Sequence, residues 1–207
     1  MSDTAADFAG PASSAQLEEV AERLRERNFE VRIVEDGAAA REMALSLVPE
    51  GSEVHSAKSK TLEDTGILAD LQDSGKYDFL RARLRQMDRE TQAREMRKLV
   101  AAPDYELGSV QALTTAGQLV VVSASGSQIG PYAATAEHLI LVVGSQKLVP
   151  DLDAALRRIE DYVLPYEDER VQEQLGMSTA VCKVLIMERD YWPGRTTVIL
   201  VREPVGY

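Results

Sequence analysis

The sequence predicts an α/β fold, a mainly parallel layered sheet with flanking helices and a C-terminal antiparallel strand pair. Three observations predict it. Strand-like and helix-like segments alternate from Phe29 onward. The runs Leu119–Val122 and Leu139–Val143 are continuously apolar rather than alternating, as in strands covered on both faces. Between them lies a small polar loop, Ser123-Ala124-Ser125-Gly126-Ser127-Gln128. An α/β sheet places its ligands in such loops, at the carboxyl ends of its strands.

The elements follow in order. Met1–Ser14 is small and polar with Gly10-Pro11, and reads as a disordered lead-in to one domain over Ala15–Tyr207. Ala15–Asn28 carries Leu17, Val20, Ala21 and Leu24 at helical spacing, with Ser13 or Ser14 as caps. Phe29–Glu35 alternates Phe29, Val31 and Ile33 and predicts a strand. Asp36-Gly37 opens a helix over Ala38–Leu47, stopped by Pro49. Ser52–His55 reads as a short strand, followed by a helix from Ser59 to Ser74. Phe79–Ala102 is helical in pattern. It carries seven basic residues against three acidic ones between Phe79 and Val100. That helix is either a solvated face balanced by Glu63, Asp64 and Asp70, or a cover or acidic-partner contact.

Farther on, Asp151–Val163 places Leu152, Ala155, Leu156, Ile159 and Val163 on one stripe, with Asp151 and Asp153 complementing the helix dipole and Pro165 ending it. Lys183–Met187 and Thr196–Val201 read as two strands joined through Pro193-Gly194, an expected antiparallel pair. The strands near Phe29, Val54, Leu119, Leu139 and Val184 are expected in one covered sheet.

Composition narrows the function classes. The chain has 207 residues, enough for one complete core and short for two domains. Acidic residues outnumber basic ones 34 to 23, a net charge of −11, which disfavours nucleic acid and anionic lipid as partners. There is no apolar run of membrane-spanning length and no secretory signal, so a cytoplasmic protein without membrane insertion is expected. The single cysteine, Cys182, cannot hold an iron–sulfur cluster alone and is expected to be a buried structural residue. His55 and His138 lack companions at metal-ligand spacing, and no dinucleotide loop is present, so no metal and no cofactor is expected.

Three segments carry polar chemistry. Ser56-Ala57-Lys58-Ser59-Lys60-Thr61 follows a strand and opens a helix, where free N–H groups, the hydroxyls of Ser56, Ser59 and Thr61, and Lys58 suit a carboxylate or phosphate. Plain helix capping with solvated lysines is the alternative. Ser125-Gly126-Ser127-Gln128 offers a permissive glycine and polar side chains, or simply a polar crossover. Lys183 begins a strand and could pair with an anion, act as a nucleophile or base, or bond local carbonyls. The catalytic candidates are Lys58 and Lys183, and the three segments are expected to converge on one anion site free of carboxylates.

Four pieces of sequence are similar to one family. They are Ser59-Lys60-Thr61-Leu62 with Gly66; Thr115-Ala116-Gly117-Gln118-Leu119; Val142-Val143-Gly144-Ser145-Gln146-Lys147-Leu148-Val149 with Asp151-Leu152; and Ser178-Thr179-Ala180 with Lys183. Over Val31–Glu203 the chain resembles the LUD-domain family, the lactate-utilisation protein C-like proteins. The resemblance implies a sheet shared with ribose-phosphate isomerases, glucosamine-phosphate deaminases and CoA transferases. It also implies work beside iron–sulfur partner proteins that oxidise L-lactate to pyruvate. Ala57-Lys58 stands where many relatives have Gly-Gly, and Gln128 where many have an arginine, so Lys58 would supply charge through its side chain. Fold kinship leaves other readings open. They are a stand-alone isomerase, deaminase or CoA-transferase-like enzyme on a phosphorylated or acyl substrate, and a regulatory binding module without turnover.

Overall fold

The computed structural model describes residues 8–207. Its strands are β1 (Glu30–Val34), β2 (Glu53–Ser56), β3 (Asp78–Phe79), β4 (Tyr105–Gly108), β5 (Ala112–Thr114), β6 (Leu119–Ser123), β7 (His138–Gly144), β8 (Leu148–Val149), β9 (Lys183–Met187) and β10 (Thr196–Val201). The α-helices are α1 (Ser14–Arg25), α2 (Gly37–Ser46), α3 (Lys60–Asp64), α4 (Ile67–Asp73), α5 (Leu80–Leu84), α6 (Ala93–Leu99), α7 (Leu152–Arg158) and α8 (Leu164–Leu175). The fold is α/β: a six-stranded, all-parallel sheet in the order β1-β10-β7-β4-β2-β3, flanked by helices, with a second mixed sheet in the order β8-β5-β6-β9.

The centre of the parallel sheet is its most apolar part. In β7 and β10, successive side chains are buried on opposite faces, which explains the unbroken Leu-Ile-Leu-Val-Val and Val-Ile-Leu-Val runs. Leu139, Leu141, Val198 and Leu200 pack toward α1 and the inner side of the second sheet. Ile140, Val142, Ile199 and Val201 pack on the other side with residues of α2, α3 and α4. A third cluster lies between the outer side of the second sheet and α7, through Ala112, Val120, Ala155 and Ile159.

Local chemistry sets the helix starts. Ser13 and Gln16 form a reciprocal cap at α1, whose buried stripe is Leu17, Val20, Ala21 and Leu24. Asp36 accepts from the Ala39 N–H at 2.8 Å, Ser59 from Leu62 at 3.3 Å, and Asp151 from Ala154 at 2.8 Å. Of the expected Met1–Ser14 lead-in, Met1–Asp7 lies outside the described residues; Phe8 packs beside the third cluster.

Several expectations are corrected. The five anticipated strands do not share one sheet: β1, β2 and β7 belong to the parallel sheet, β6 and β9 to the second. The cause is the tight Gly117 turn, which returns β6 antiparallel against β5 where a parallel neighbour needs a crossover. Burial of β6 on both faces then comes from α7 on one side and the parallel sheet on the other. The antiparallel partner of β9 is β6, while β10 inserts between β1 and β7.

The helix expected over Ser59–Ser74 breaks at Thr65–Gly66 into α3 and α4. The basic stretch is two short helices, α5 and α6, around a polar turn in which Asp88 bonds the Glu90 N–H and the Thr91 hydroxyl. Pro165 does not stop the chain after α7. A π-turn over Ile159–Val163 leads straight into α8, with Pro165 in its first turn. Cys182 is exposed, because it precedes β9 at the sheet edge rather than lying under α7. Among the described residues no helix is long and apolar enough to cross a membrane.

Candidate functional site

The carboxyl ends of β2, β4 and β7 deliver a set of buried polar groups. From β7 the chain enters a tight turn, Ser145–Lys147, and all three of its side chains are buried. The Lys147 ammonium nitrogen bonds Thr61 Oγ1 at 2.8 Å, Ser109 Oγ at 3.0 Å and the Val110 carbonyl at 3.1 Å. Thr61 comes from the first turn of α3, and Ser109 follows β4. Ser109 donates onward to the Val142 carbonyl at 2.6 Å, which leaves its oxygen free to accept from Lys147. No carboxylate is among these partners. Burial pushes the Lys147 amine well below its usual range, and the Arg158 charge adds to this.

Arg158 is the second buried cation. Its Nη1 donates to the Gln111 carbonyl at 2.5 Å, and its guanidinium lies 5.0 Å from the centre of the Tyr162 ring. Among the described residues its Nε and Nη2 have no partner. Burial pulls this guanidinium down to about 10. Two buried basic side chains that make no hydrogen bond to a carboxylate form a region that an incoming anion would stabilise.

Beside them sits a buried acid. Glu106 on β4 lies 2.6 Å from His55 Nδ1 on β2. Burial raises the Glu106 carboxyl, against the opposing effects of the His55 hydrogen bond and charge and of the Ala57 N–H. The Tyr132 hydroxyl accepts from the Ser109 N–H at 3.1 Å. Its phenol is pushed up by burial and then by the Glu106 charge. Hydrogen bonds join His55 to Glu106, and Tyr132 through Ser109 to Lys147, while Glu106 acts on Tyr132 through its charge alone. Burial moves Lys147 and Glu106 in opposite directions, each toward its uncharged form.

The residues anticipated from sequence fall into two groups. In the first, Thr61 bonds Lys147, Ser59 caps α3, and Ser56 is buried with its hydroxyl unpartnered among the described residues. Lys58 is exposed and reaches Gln174 of α8 at 3.3 Å. In the second, Lys183 pairs in register with Ser123, donates to the Ala124 carbonyl at 3.1 Å, and lays its stem against Gly126. Gly126 has φ 86°, and a Cβ there would stand 2.7 Å from Lys183 Cδ. Ser125 and Ser127 bond each other, and Gln128 bonds Ser123 and the Val122 carbonyl. Among the described residues no hydrogen bond joins the second group to the first.

Lys147, Gln146, Ser109, Arg158 and the His55–Glu106 pair were not anticipated as site residues. Two of them left a signal. Lys147 sits between the most apolar strand and the apolar pair Leu148-Val149, and Arg158 falls on the buried stripe of α7 beside Ala154, Ala155 and Ile159. An open groove of about 370 Å³ lies elsewhere, lined by Pro103, Glu137, Trp192 and Arg195 near the amino ends of β4, β7 and β10. Its Arg195 is committed to the Ala136, Tyr132 and Pro131 carbonyls and to Asp190.

The family model described as the LUD domain matches residues 17–201. No curated protein matches the chain. Among solved structures, a crystal structure of a DUF162 family protein from Deinococcus radiodurans is similar. It is 13% identical, with 92% of this chain and 99% of that chain covered, at a TM-score of 0.54. At that identity the likeness concerns the fold.

Proposed function

Because the chain belongs to the LUD-domain family, we propose that it binds a small anionic metabolite at the carboxyl ends of β2, β4 and β7 and serves lactate utilisation. In this reading it works in the cytoplasm with iron–sulfur partner proteins that oxidise L-lactate to pyruvate. The observation that carries the anion is Lys147, buried, held by three neutral oxygens and flanked by the charge of Arg158. A carboxylate seated there would favour the charged form of Lys147, so binding would be coupled to proton uptake.

Ser56, Lys58, Ser59 and Thr61 supply the remaining donors on the β2 side. The test is calorimetric titration of the purified protein with L-lactate and with pyruvate, in buffers of different ionisation enthalpy. Binding with proton uptake, lost in Lys147→Met, supports the reading; no binding of either acid sinks it. Lys58→Ala should weaken binding by less than about tenfold, because Lys58 is exposed and solvent screens its charge. The Ser125–Gln128 loop is tested through Lys183→Ala. Weaker binding brings that loop into the site, and unchanged binding leaves it a self-contained turn. Recovery of the protein from cells together with iron–sulfur subunits tests the partners.

A second reading is favoured by the opposite displacements of Lys147 and Glu106. An amine pushed toward its uncharged form and a buried carboxyl pushed toward its protonated form are the directions that a general base or nucleophile and a general acid require. That points to a stand-alone isomerase, deaminase or CoA-transferase-like enzyme. Turnover by the isolated chain, abolished in Lys147→Met, separates it from the first reading.

A further inference from the structure

Beyond β10 the chain turns back across the carboxyl ends of β7 and α3's amino end. Ser145 Oγ donates to the Arg202 carbonyl at 2.6 Å. The Gln146 amide donates to the Val205 carbonyl at 3.0 Å and the Gly206 carbonyl at 3.1 Å, and Thr61 Oγ1 lies 3.4 Å from the same Val205 carbonyl. Val205 presses so closely on Gly144 that a Cβ there would stand 2.6 Å from its nitrogen. Gly206 takes φ 70°, and a Cβ on it would overlap Thr61 Oγ1 and stand 2.9 Å from the Thr61 nitrogen. Farthest out, the Tyr207 phenol bonds Glu167 and Arg170 of α8 and stacks on Tyr166.

The contacts have one focus. Thr61, which holds Lys147, also holds Val205 and touches Gly206. Gln146, next to Lys147, clamps the same peptide from the other side. Lys147 is only 2% exposed under this arrangement. We propose that Val205–Tyr207 is a strap that closes the anion site and must lift before Lys147 meets a ligand. This rests on the reading of Lys147 as the anion's partner. It adds that access is governed by a latch made of Gln146, Thr61 and the backbone of Val205–Gly206, with Tyr207 as its outer anchor. The latch is weak by construction. It holds two carbonyls and one phenol, and hydrogen bonds of that kind each contribute about a factor of ten or less to a local opening equilibrium.

The experiment reads access without needing a ligand. The folded protein is acetylated with a small amine-reactive ester, and each lysine is followed by mass spectrometry. In the wild type, Lys147 should label far more slowly than the exposed Lys58 and Lys183. Gly206→Ala, which cannot keep the strap seated, should accelerate Lys147 labelling by about tenfold or more and leave Lys183 unchanged. Gln146→Ala, which removes both clamps and no backbone fit, should move Lys147 the same way and carries the test if Gly206→Ala fails to fold. Fast labelling of Lys147 in the wild type overturns the strap. So does wild-type labelling in the folded variants. L-lactate titration keeps the two claims separate. An opened Lys147 that binds no lactate removes the anion reading and leaves the strap, whereas lactate binding with unchanged labelling does the reverse.

Discussion

Lys147→Met is the most demanding test of the site's electrostatics. Methionine keeps much of the side chain's volume and removes the amine. Two effects on stability oppose each other. The variant loses three hydrogen bonds, each with a net worth of about 1 kcal/mol. It also removes a group that must give up its proton, or desolvate its charge, to fold. Because these effects partly cancel, the sign at one pH decides little, and the slope with pH is the measurement.

The folded value of Lys147 lies well below 10.5, and its unfolded value is the ordinary one. Between the two, the unfolded chain binds more protons, so stability rises with pH until it levels off above 10.5. For one proton the slope approaches about 1.4 kcal/mol per pH unit. Urea unfolding of both proteins from pH 7 to 10, read as the difference between them, cancels every other titrating group. Lys76, whose ammonium is raised by its bond to Glu50, is one such group. The wild type should gain on Lys147→Met by up to about 1.4 kcal/mol per pH unit in the part of that range well below 10.5, with the slope easing as pH approaches 10. Parallel curves would mean that Lys147 titrates alike in both states, and the argument for an anion-seeking amine would fail.

Other perturbations follow from the same geometry. Glu106 carries the opposite sign. Its folded value is raised above 4.5, so its contribution is fully present below that value and is lost as pH rises toward the folded one. Glu106→Gln should therefore gain stability relative to the wild type on going from pH 4 to 7, and a flat difference would refute it. Tyr132→Phe leaves the buried Ser109 N–H without its acceptor and should cost about 1–3 kcal/mol in urea unfolding; a loss under about 0.5 kcal/mol would show that the bond is dispensable. Gly126→Ala must hold a left-handed backbone. It should cost about 1–2 kcal/mol, with the flexible Lys183 stem giving way; an unchanged midpoint would contradict the turn geometry.

Much of the fold was legible because burial on two faces writes itself into sequence. The runs in β6 and β7 are apolar at every position, and the caps Asp36, Ser59 and Asp151 are local signals that the structure uses. What stayed hidden was pairing. β6 and β7 look alike in sequence, yet one belongs to a second sheet. A continuous apolar run reports only that both faces are covered, and α7 covers β6 as well as a crossover helix would. β9 shows the converse. Its Val184 and Ile186 read as core, but they lie one strand beyond α7 and are exposed at 48% and 39%.

The site divides in the same way. Thr61 was visible because a helix start after a strand advertises its donors through local order alone. Lys147 was not, since a lysine is read as solvated unless something contradicts it. The contradiction here is the apolar run on both sides of the Ser145–Lys147 turn, which leaves the amine nowhere to go but inward. Lys58 and Lys183 attracted attention as lysines at strand and helix boundaries. They are exposed, and each holds a single neutral partner, Gln174 and the Ala124 carbonyl. A short turn between two buried segments offers no room to snorkel, so its longest polar side chain must find acceptors inside. The acceptors it finds come from just past the end of β4, at Ser109, and from α3, 38 and 86 positions away, and only folding brings them together.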